Sequence, residues 1–454
     1  MIEGLKPYAE YKESGQKWLG GVPAHWDLKP GHAAFGKRKE SNRGMKEKTV
    51  LSLSYGRIKV KATDKQHGLV PESYETYQVV NEGNVIIRGT DLQNDHTSLR
   101  IGLSRNRGII SSAYLCLQAL PSITPDYGYQ ILNVFDLTKA IYRYGSGLRQ
   151  NLDHGEIKRL PIFLPPLDEQ AAIVRFLDHA NRKIDGFIRA KRKLIGLLNE
   201  QKQAIIHRAV TRGLHPDAPL KPSGIPWLGD IPVSWTVAKL KHLTRFQNGL
   251  PFKPADWKAE GIPIIRIQNL NGSDDFNYTI KNTLPTDLLI RNGDLMFAWS
   301  GNKGTSFGSF QWDRPFDGYL NQHIFKLTGF KIPRRYFYYV LRAVTRHVEE
   351  QAGGIIGLVH VTKPELGSVQ VPIASAEEQE NIAQYIDVAT AALTTVIART
   401  DREIALMQEY RTRLTADLVT GKLDVRAAAA HLPAPDEPLE EIETELEETN
   451  DANN

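Results

Sequence analysis

Two sets of arginine, lysine, asparagine and glutamine residues offer this chain its clearest chemistry. The first set is Arg88, Gln93, Asn94, Arg100, Arg105 and Arg107. The second is Gln247, Asn248, Lys253, Arg266, Gln268, Asn269, Asn302, Lys303, Asn321 and Gln322. Side chains of these types carry donor and acceptor patterns that match the edges of guanine and adenine in a DNA major groove. Each alone is equally well read as a solvated loop residue, so the two sets are candidates for base contact. Lys37, Arg38, Lys39, Lys59, Lys61 and Lys65 suit phosphates better, where they would position a duplex without specifying its sequence.

Catalytic patterns are weak. Pro165-Pro166 has no Asn or Asp before it and no aromatic after it, so an Asn-Pro-Pro-Tyr type of methyltransferase motif is absent. Gly301-Asn-Lys-Gly-Thr-Ser306 lacks phosphate-loop spacing, and the thirteen histidines show no metal-ligand spacing. Pro125-Asp126 followed by Glu156-Ile-Lys158 fits a loose pattern of metal-dependent nucleases. Across the internal repeat described next, Glu156 corresponds to Glu365, and the lysine position becomes Gly367. The pattern is therefore read as chance, and the sequence predicts no catalytic, cofactor or metal residue in this chain. A nuclease using Asp126, Glu156 and Lys158 stays as one alternative. A coiled-coil adaptor that binds no DNA stays as another.

The elements that must position these residues occur twice. Ser14-Gly15, Trp18-Leu19-Gly20, Pro23 and Trp26 recur 209 residues later as Ser223-Gly224, Trp227-Leu228-Gly229, Pro232 and Trp235. Glu169-Gln170 and Val210-Thr211 recur at the same offset as Glu378-Gln379 and Val419-Thr420. A period this long marks a duplicated domain and not a solenoid repeat. Each half runs from a Trp-Leu-Gly segment through strand-like runs, such as Asn84–Arg88 and Asp294–Trp299, into one long helix. Trp299 and Trp312 read as core aromatics.

The helices carry a spacing of alternating four and three. In the first it is Ile173, Leu177, Ala180, Ile184, Phe187, Lys191, Leu194, Leu198, Gln201 and Ile205. In the second it is Ile382, Ile386, Ala389, Leu393, Val396, Thr400, Glu403, Met407, Tyr410 and Leu414. Such heptad seams predict helices of roughly 60–65 Å that pair antiparallel, with the polar seam positions setting register. Ser375 and Glu378 supply a capping box.

Composition sets limits. The 454 residues carry a formal charge of +5, but residues 433–454 hold nine acids and no Lys or Arg. Without that tail, residues 1–432 stand at +14, a balance suited to a polyanionic partner. The tail has the composition of a disordered segment. No apolar run reaches membrane-spanning length, there is no signal core, and Cys116 is alone, so a cytoplasmic protein without a membrane partner is expected.

Taken together, Ser14-Gly-x-x-Trp-Leu-Gly-x-x-Pro-x-x-Trp26 with its copy at 223–235, and Leu164-Pro-Pro-Leu-Asp-Glu-Gln170 with Ala376-Glu-Glu-Gln379, resemble the specificity subunits of type I restriction–modification systems. The resemblance extends to about Asp424; it departs where Ala374-Ser375 replaces Pro165-Pro166, and the acidic tail lies outside the pattern. It implies an α+β chain: two mixed α/β target recognition domains separated by two long antiparallel coiled-coil helices, with an internal pseudo-two-fold repeat. The expected boundaries are 1–165 and 213–375 for the recognition domains, 166–212 and 376–425 for the spacer helices, and 426–454 for a disordered acidic tail. Each domain would read one half of a bipartite, asymmetric site in double-stranded DNA. The helices would set the spacer and dock two methyltransferase subunits for N6-adenine methylation, and two motor–nuclease subunits would add ATP-dependent restriction. S-adenosylmethionine, ATP and Mg would belong to those partners, leaving this chain with no cofactor.

Overall fold

The computed structural model describes residues 5–16, 18–61, 73–90, 92, 99–145, 151–280, 284–352 and 357–433. The described residues form two compact units, the first from the part of the chain up to Lys191 together with the part from Arg402 on, and the second Arg192–Asp401. The division falls inside both long helices, Leu167–Arg212 and Ala376–Val419, so each unit owns a piece of each helix.

The same frame is built in both units. In the first, Tyr11–Glu13 pairs with Gly21–Pro23, and Asp27–Pro30 with Pro161–Leu164. In the second, Leu220–Pro222 pairs with Asp230–Pro232, and Thr236–Lys239 with Gln370–Ile373. Each unit then has a four-stranded antiparallel sheet with one strand order, first–fourth–second–third. The strands are Phe35–Lys37, Val85–Ile87, Ile101–Leu103 and Leu115–Ala119 in the first unit. They are Arg245–Asn248, Leu295–Ala298, Gly308–Gln311 and Ile324–Thr328 in the second. The buried Val85-Ile-Ile87 and Leu295–Ala298 runs explain why the sequence reads them as strands. A helix follows each sheet, Pro125–Leu137 or Arg334–Gln351. Each unit adds a second group of strands in one order. In the first, Arg57–Val60 pairs with Leu51–Ser54, the parallel Val50–Ile109 bridge joins that hairpin to Gly108–Ile110, and Gly108–Ile110 pairs with Gln78–Val80. In the second, Asn277–Thr279, Ile262–Ile265, Gly318–Leu320 and Leu289–Ile290 form one four-stranded sheet.

The duplicated residues turn out to be the joints of this frame. Trp26 is fully buried and its indole donates to Glu169 Oε1 at 2.9 Å. Trp235 is fully buried and donates to Glu378 Oε2 at 3.0 Å. Gln170 donates to the Pro165 carbonyl, and Gln379 to that of Ala374. Tyr8 and His25 add further hydrogen bonds to Glu169 in the first unit. Burial and the carboxylate beside it hold the Tyr8 hydroxyl well above its ordinary pKa, so it remains a donor. Gly421, at a φ of 76°, sits where a Cβ would overlap Pro23 and press on Trp26, so the glycine is required by space as well as conformation.

The two helices run antiparallel inside each unit. In the first unit Asp185 pairs with Arg411, and Lys191 with Glu403 at 2.7 Å. In the second, Lys202 donates to Thr394 Oγ1. Lys191 and Glu403, which with Gln201 and Thr400 are polar seam positions of the two predicted heptads, meet each other. The strict heptad is not sustained, however. Leu194 and Val396, expected in the seam, are 37% and 42% exposed. Burial follows Ile173, Leu177, Ala180, Ile184 and Ile188 in the first helix. That spacing drifts toward 3.6 residues, as a straight α-helix must, so a 3.5-residue seam rotates out of contact.

The proposed tail begins differently from expectation. Arg426–Ala430 is a short helix with Ala429 buried, and Arg175 holds the carbonyls of Leu432 and Pro433. Residues 434–454 lie outside the described residues. No helix among the described residues is long and apolar enough to cross a membrane.

Two outcomes follow. Trp26→Phe keeps the ring and removes the donor to a buried carboxylate, which should cost about 1–3 kcal/mol in chemical unfolding of the first unit. Trp235→Phe should act on the second. Lys191→Glu should destabilise by about 0.5–1 kcal/mol, because the pair is about one third exposed, and adding Glu403→Lys should restore most of the loss in a double-mutant cycle.

Candidate nucleic-acid interface

The second unit gathers several predicted residues at one edge. Asn321 donates its backbone N–H to the Ile265 carbonyl, next to Arg266, and bridges to Leu250 just past Gln247 and Asn248. Asn248, Lys253, Lys303 and Gln322 are exposed there, and Asn302 and Asn321 are half-buried. Gln247 donates to Asp287 at 3.0 Å, and Gln268 to the Asp275 carbonyl at 3.2 Å. Arg266 is half-buried, stands over the Trp257 ring at 5.2 Å and donates to Asn277.

Three residues that the sequence reading did not assign to the site belong beside them. Trp299, expected in the core, is only half-buried, and its indole donates to the Gln322 carbonyl. Its ring lies 5.1 Å from His323 and 5.0 Å from exposed His360, centroid to centroid. Trp312, by contrast, is 2% exposed and is a core residue. No local spacing could have announced this cluster: pairing of Ser300–Asn302 with Leu358–His360 brings His360 across about sixty positions of sequence.

Two predicted readers are corrected by their surroundings. Arg100 has no exposure; its guanidinium donates to the Thr90 carbonyl at 2.7 Å and to that of Arg88, and packs on Tyr142. It is a brace for the sheet edge and has no free face for a base. Asn269 is 2% exposed, accepts from the Arg266 N–H and donates to the carbonyls of Ser273 and Asp275. Its amide is consumed in holding its own turn.

In the first unit, Arg88 is exposed. Arg105 pairs with Asp126 at 2.5 Å, and Arg107 with Glu47 at 3.3 Å, yet both arginines stay about 60% exposed. Exchange of such exposed partners for a phosphate or base is inexpensive. Lys37, Lys39, Lys59 and Lys61 are exposed, while Gln93, Asn94 and Lys65 lie outside the described residues.

The nuclease pattern has another explanation. Glu156 accepts from the Asp153 N–H at 2.9 Å and from Arg159, closing a capping box on the helix His154–Arg159. Its repeat equivalent Glu365 accepts from the Thr362 N–H in the same way. The glutamates recur because both helices need a cap. Asp126 is occupied by Arg105. Among the described residues no three of His, Cys, Asp or Glu are grouped to hold a metal ion.

Comparison with known proteins agrees with this geometry. Residues 232–405 match the family described as the type I restriction modification DNA specificity domain. The chain is 25% identical over 362 residues to the type I restriction enzyme MjaVIII specificity subunit of Methanocaldococcus jannaschii, covering 77% of this chain and 81% of that protein. It is 25% identical over 316 residues to the putative MjaX specificity subunit of the same organism, covering 67% and 69%. In fold it is similar to a chain from a solved type I R-M system, with a TM-score of 0.56 at 14% identity over 88% of this chain and 98% of the other. Residues 232–405 thus match a type I restriction modification DNA specificity domain, and the chain as a whole is similar to specificity subunits of type I restriction enzymes.

Proposed function

We propose that each unit reads one half of a bipartite, asymmetric DNA site. The observation that carries this reading is a constant frame bearing different surfaces. The Trp–Glu joint, the strand order and the capped short helix recur, whereas Arg88, Arg105 and Arg107 in one unit have no counterpart in Asn248, Lys253, Gln322 and Trp299 of the other. Two unlike surfaces on like frames suit two unlike half-sites. The basic body supports strong phosphate contact, with an affinity that falls steeply with salt.

In this reading residues 1–165 and 213–375 are the recognition domains, and 166–212 with 376–425 set the spacer between half-sites. The long helices also dock methyltransferase subunits, which supply S-adenosylmethionine and the N6-adenine chemistry, while motor–nuclease subunits supply ATP- and Mg-dependent restriction. Supporting the dock, Leu194, Leu197, Tyr385, Val388 and Val396 are exposed on the helix segments of the second unit, and Val388 is 71% exposed. Exposed apolar pairs three residues apart on one helix, as at Leu194 and Leu197 and at Tyr385 and Val388, favour a protein partner.

The test is co-expression with the neighbouring methyltransferase in a methylation-free host, followed by mapping of modified adenines. A split motif with a fixed gap is expected. Gln322→Ala should relax or change one half of that motif only, at about 1–3 kcal/mol for a lost base contact; equal effects on both halves would refute the division of labour. Val388→Glu should weaken co-purification of the methyltransferase by at least about tenfold, because a charge would be buried in an apolar contact.

A further inference from the structure

The first long helix carries a basic stripe of which the first unit engages only Arg175. Arg175, Arg182 and Arg189 are seven residues apart and all exposed, so they share one face with a drift of only about 20° per step. Lys183 is exposed beside them, and Asp178 is the acid on that side, in the field of Arg182. The helix's other acid in this stretch, Asp185, is engaged by Arg411, and Lys191 is engaged by Glu403. Arg182 and Arg189 form no ion pair within hydrogen-bonding reach among the described residues.

Leu432 and Pro433 lie at the foot of this stripe. Arg175 Nη2 donates to the carbonyls of Leu432 at 2.6 Å and Pro433 at 3.2 Å. The next acids are Asp436, Glu437, Glu440 and Glu441, the first of nine, and no Lys or Arg follows Pro433. Arg189 lies fourteen residues from Arg175, about 21 Å along the helix. Eight extended residues span about 26 Å, so these four acids can reach every arginine of the stripe.

We propose that the acidic segment 434–454 docks on the Arg175, Arg182 and Arg189 face and competes there with DNA phosphates. Complementary charge leaves from a fixed point, because the Leu432 and Pro433 carbonyls are tied to the first arginine of the stripe. Tethering keeps the local concentration of carboxylates high, as for any second site on a short linker. The competition bears on non-specific duplex, whose binding is almost wholly phosphate contact, and less on a specific site that adds base contacts. The competitive step rests on the DNA-recognition reading above; the docking step does not.

The experiment separates the two. A labelled peptide of residues 434–454 is titrated into the chain truncated after Pro433 and followed by fluorescence anisotropy. Saturable binding is expected, weakened by salt and reduced at least about tenfold by Arg182→Glu with Arg189→Glu. Absence of binding, or binding indifferent to those changes, overturns the docking. The full chain, the truncated chain and a full-length chain with Asp436→Asn, Glu437→Gln, Glu440→Gln and Glu441→Gln are then compared on random-sequence duplex. At about 50 mM salt the truncated and neutralised chains should bind about tenfold more tightly than the full chain, converging at higher salt. Equal affinities with the peptide still docking would overturn the competition. Docking with no DNA binding by any form would sink the DNA reading and leave the docking standing.

Discussion

A carboxylate at the start of each long helix, buried at Glu169 and half-buried at Glu378, organises this protein. Glu169 is 3% exposed and accepts from Trp26, Tyr8 and His25. A charge taken out of water must be matched by donors, and each of those donors comes from the opening segment of the chain. The helix start, the opening hairpin and the sheet that follows are therefore fixed to one another. The second unit solves the same problem more simply. Ser375 stands where the first unit has Pro166, and its hydroxyl donates to Glu378 as a cap, leaving Trp235 as the remaining side-chain donor. A proline lacks that hydroxyl and its N–H, so Glu169 has room for two extra partners. The partners differ as well: at the 209-residue offset Asp217 and Ser234 stand where the first unit has Tyr8 and His25.

Fixing the joints leaves the bodies free to diverge. Short capped helices with Glu156 and Glu365 close both bodies, and both central sheets share a strand order. Between those constants the two bodies carry different surface residues, Gln322 and Trp299 at the polar edge of the second unit and Arg88, Arg105 and Arg107 in the first. A scaffold whose stability sits in buried joints tolerates change at its exposed edges, the ordinary arrangement for recognition on a rigid frame.

The long helices obey a compromise of periods. The sequence spaces its apolar residues at 3.5, while a straight helix turns every 3.6. Near the ends, where each unit's core grips the helix, Ile173, Leu177, Ile382 and Ile386 are buried as a seam requires. Toward the middle, Leu194 and Val396 emerge into solvent, and contact passes to ion pairs such as Lys191–Glu403. Polar contacts there fix register without a continuous apolar core, and they leave apolar side chains presented outward.

The duplication, the two long helices and the Ser375–Glu378 cap were legible in the sequence, because repeats and helical periodicity are local or exact-offset signals; the caps at Glu156 and Glu365 were not, since Glu156 reads there as part of a nuclease pattern. The Trp26–Glu169 joint was visible as two repeated residues but not as a bond, since the partners are 143 positions apart. Which polar residues are readers was not legible. Arg100 and Asn269 look like their exposed neighbours in composition, and only tertiary packing shows their donors spent on carbonyls of their own unit. Trp299 and His360 became neighbours through strand pairing, which no spacing along the chain encodes. Sequence determined the frame because a frame is built from periodic burial and caps. Tertiary structure decided the surface because exposure and hydrogen-bond satisfaction are properties of what surrounds a side chain.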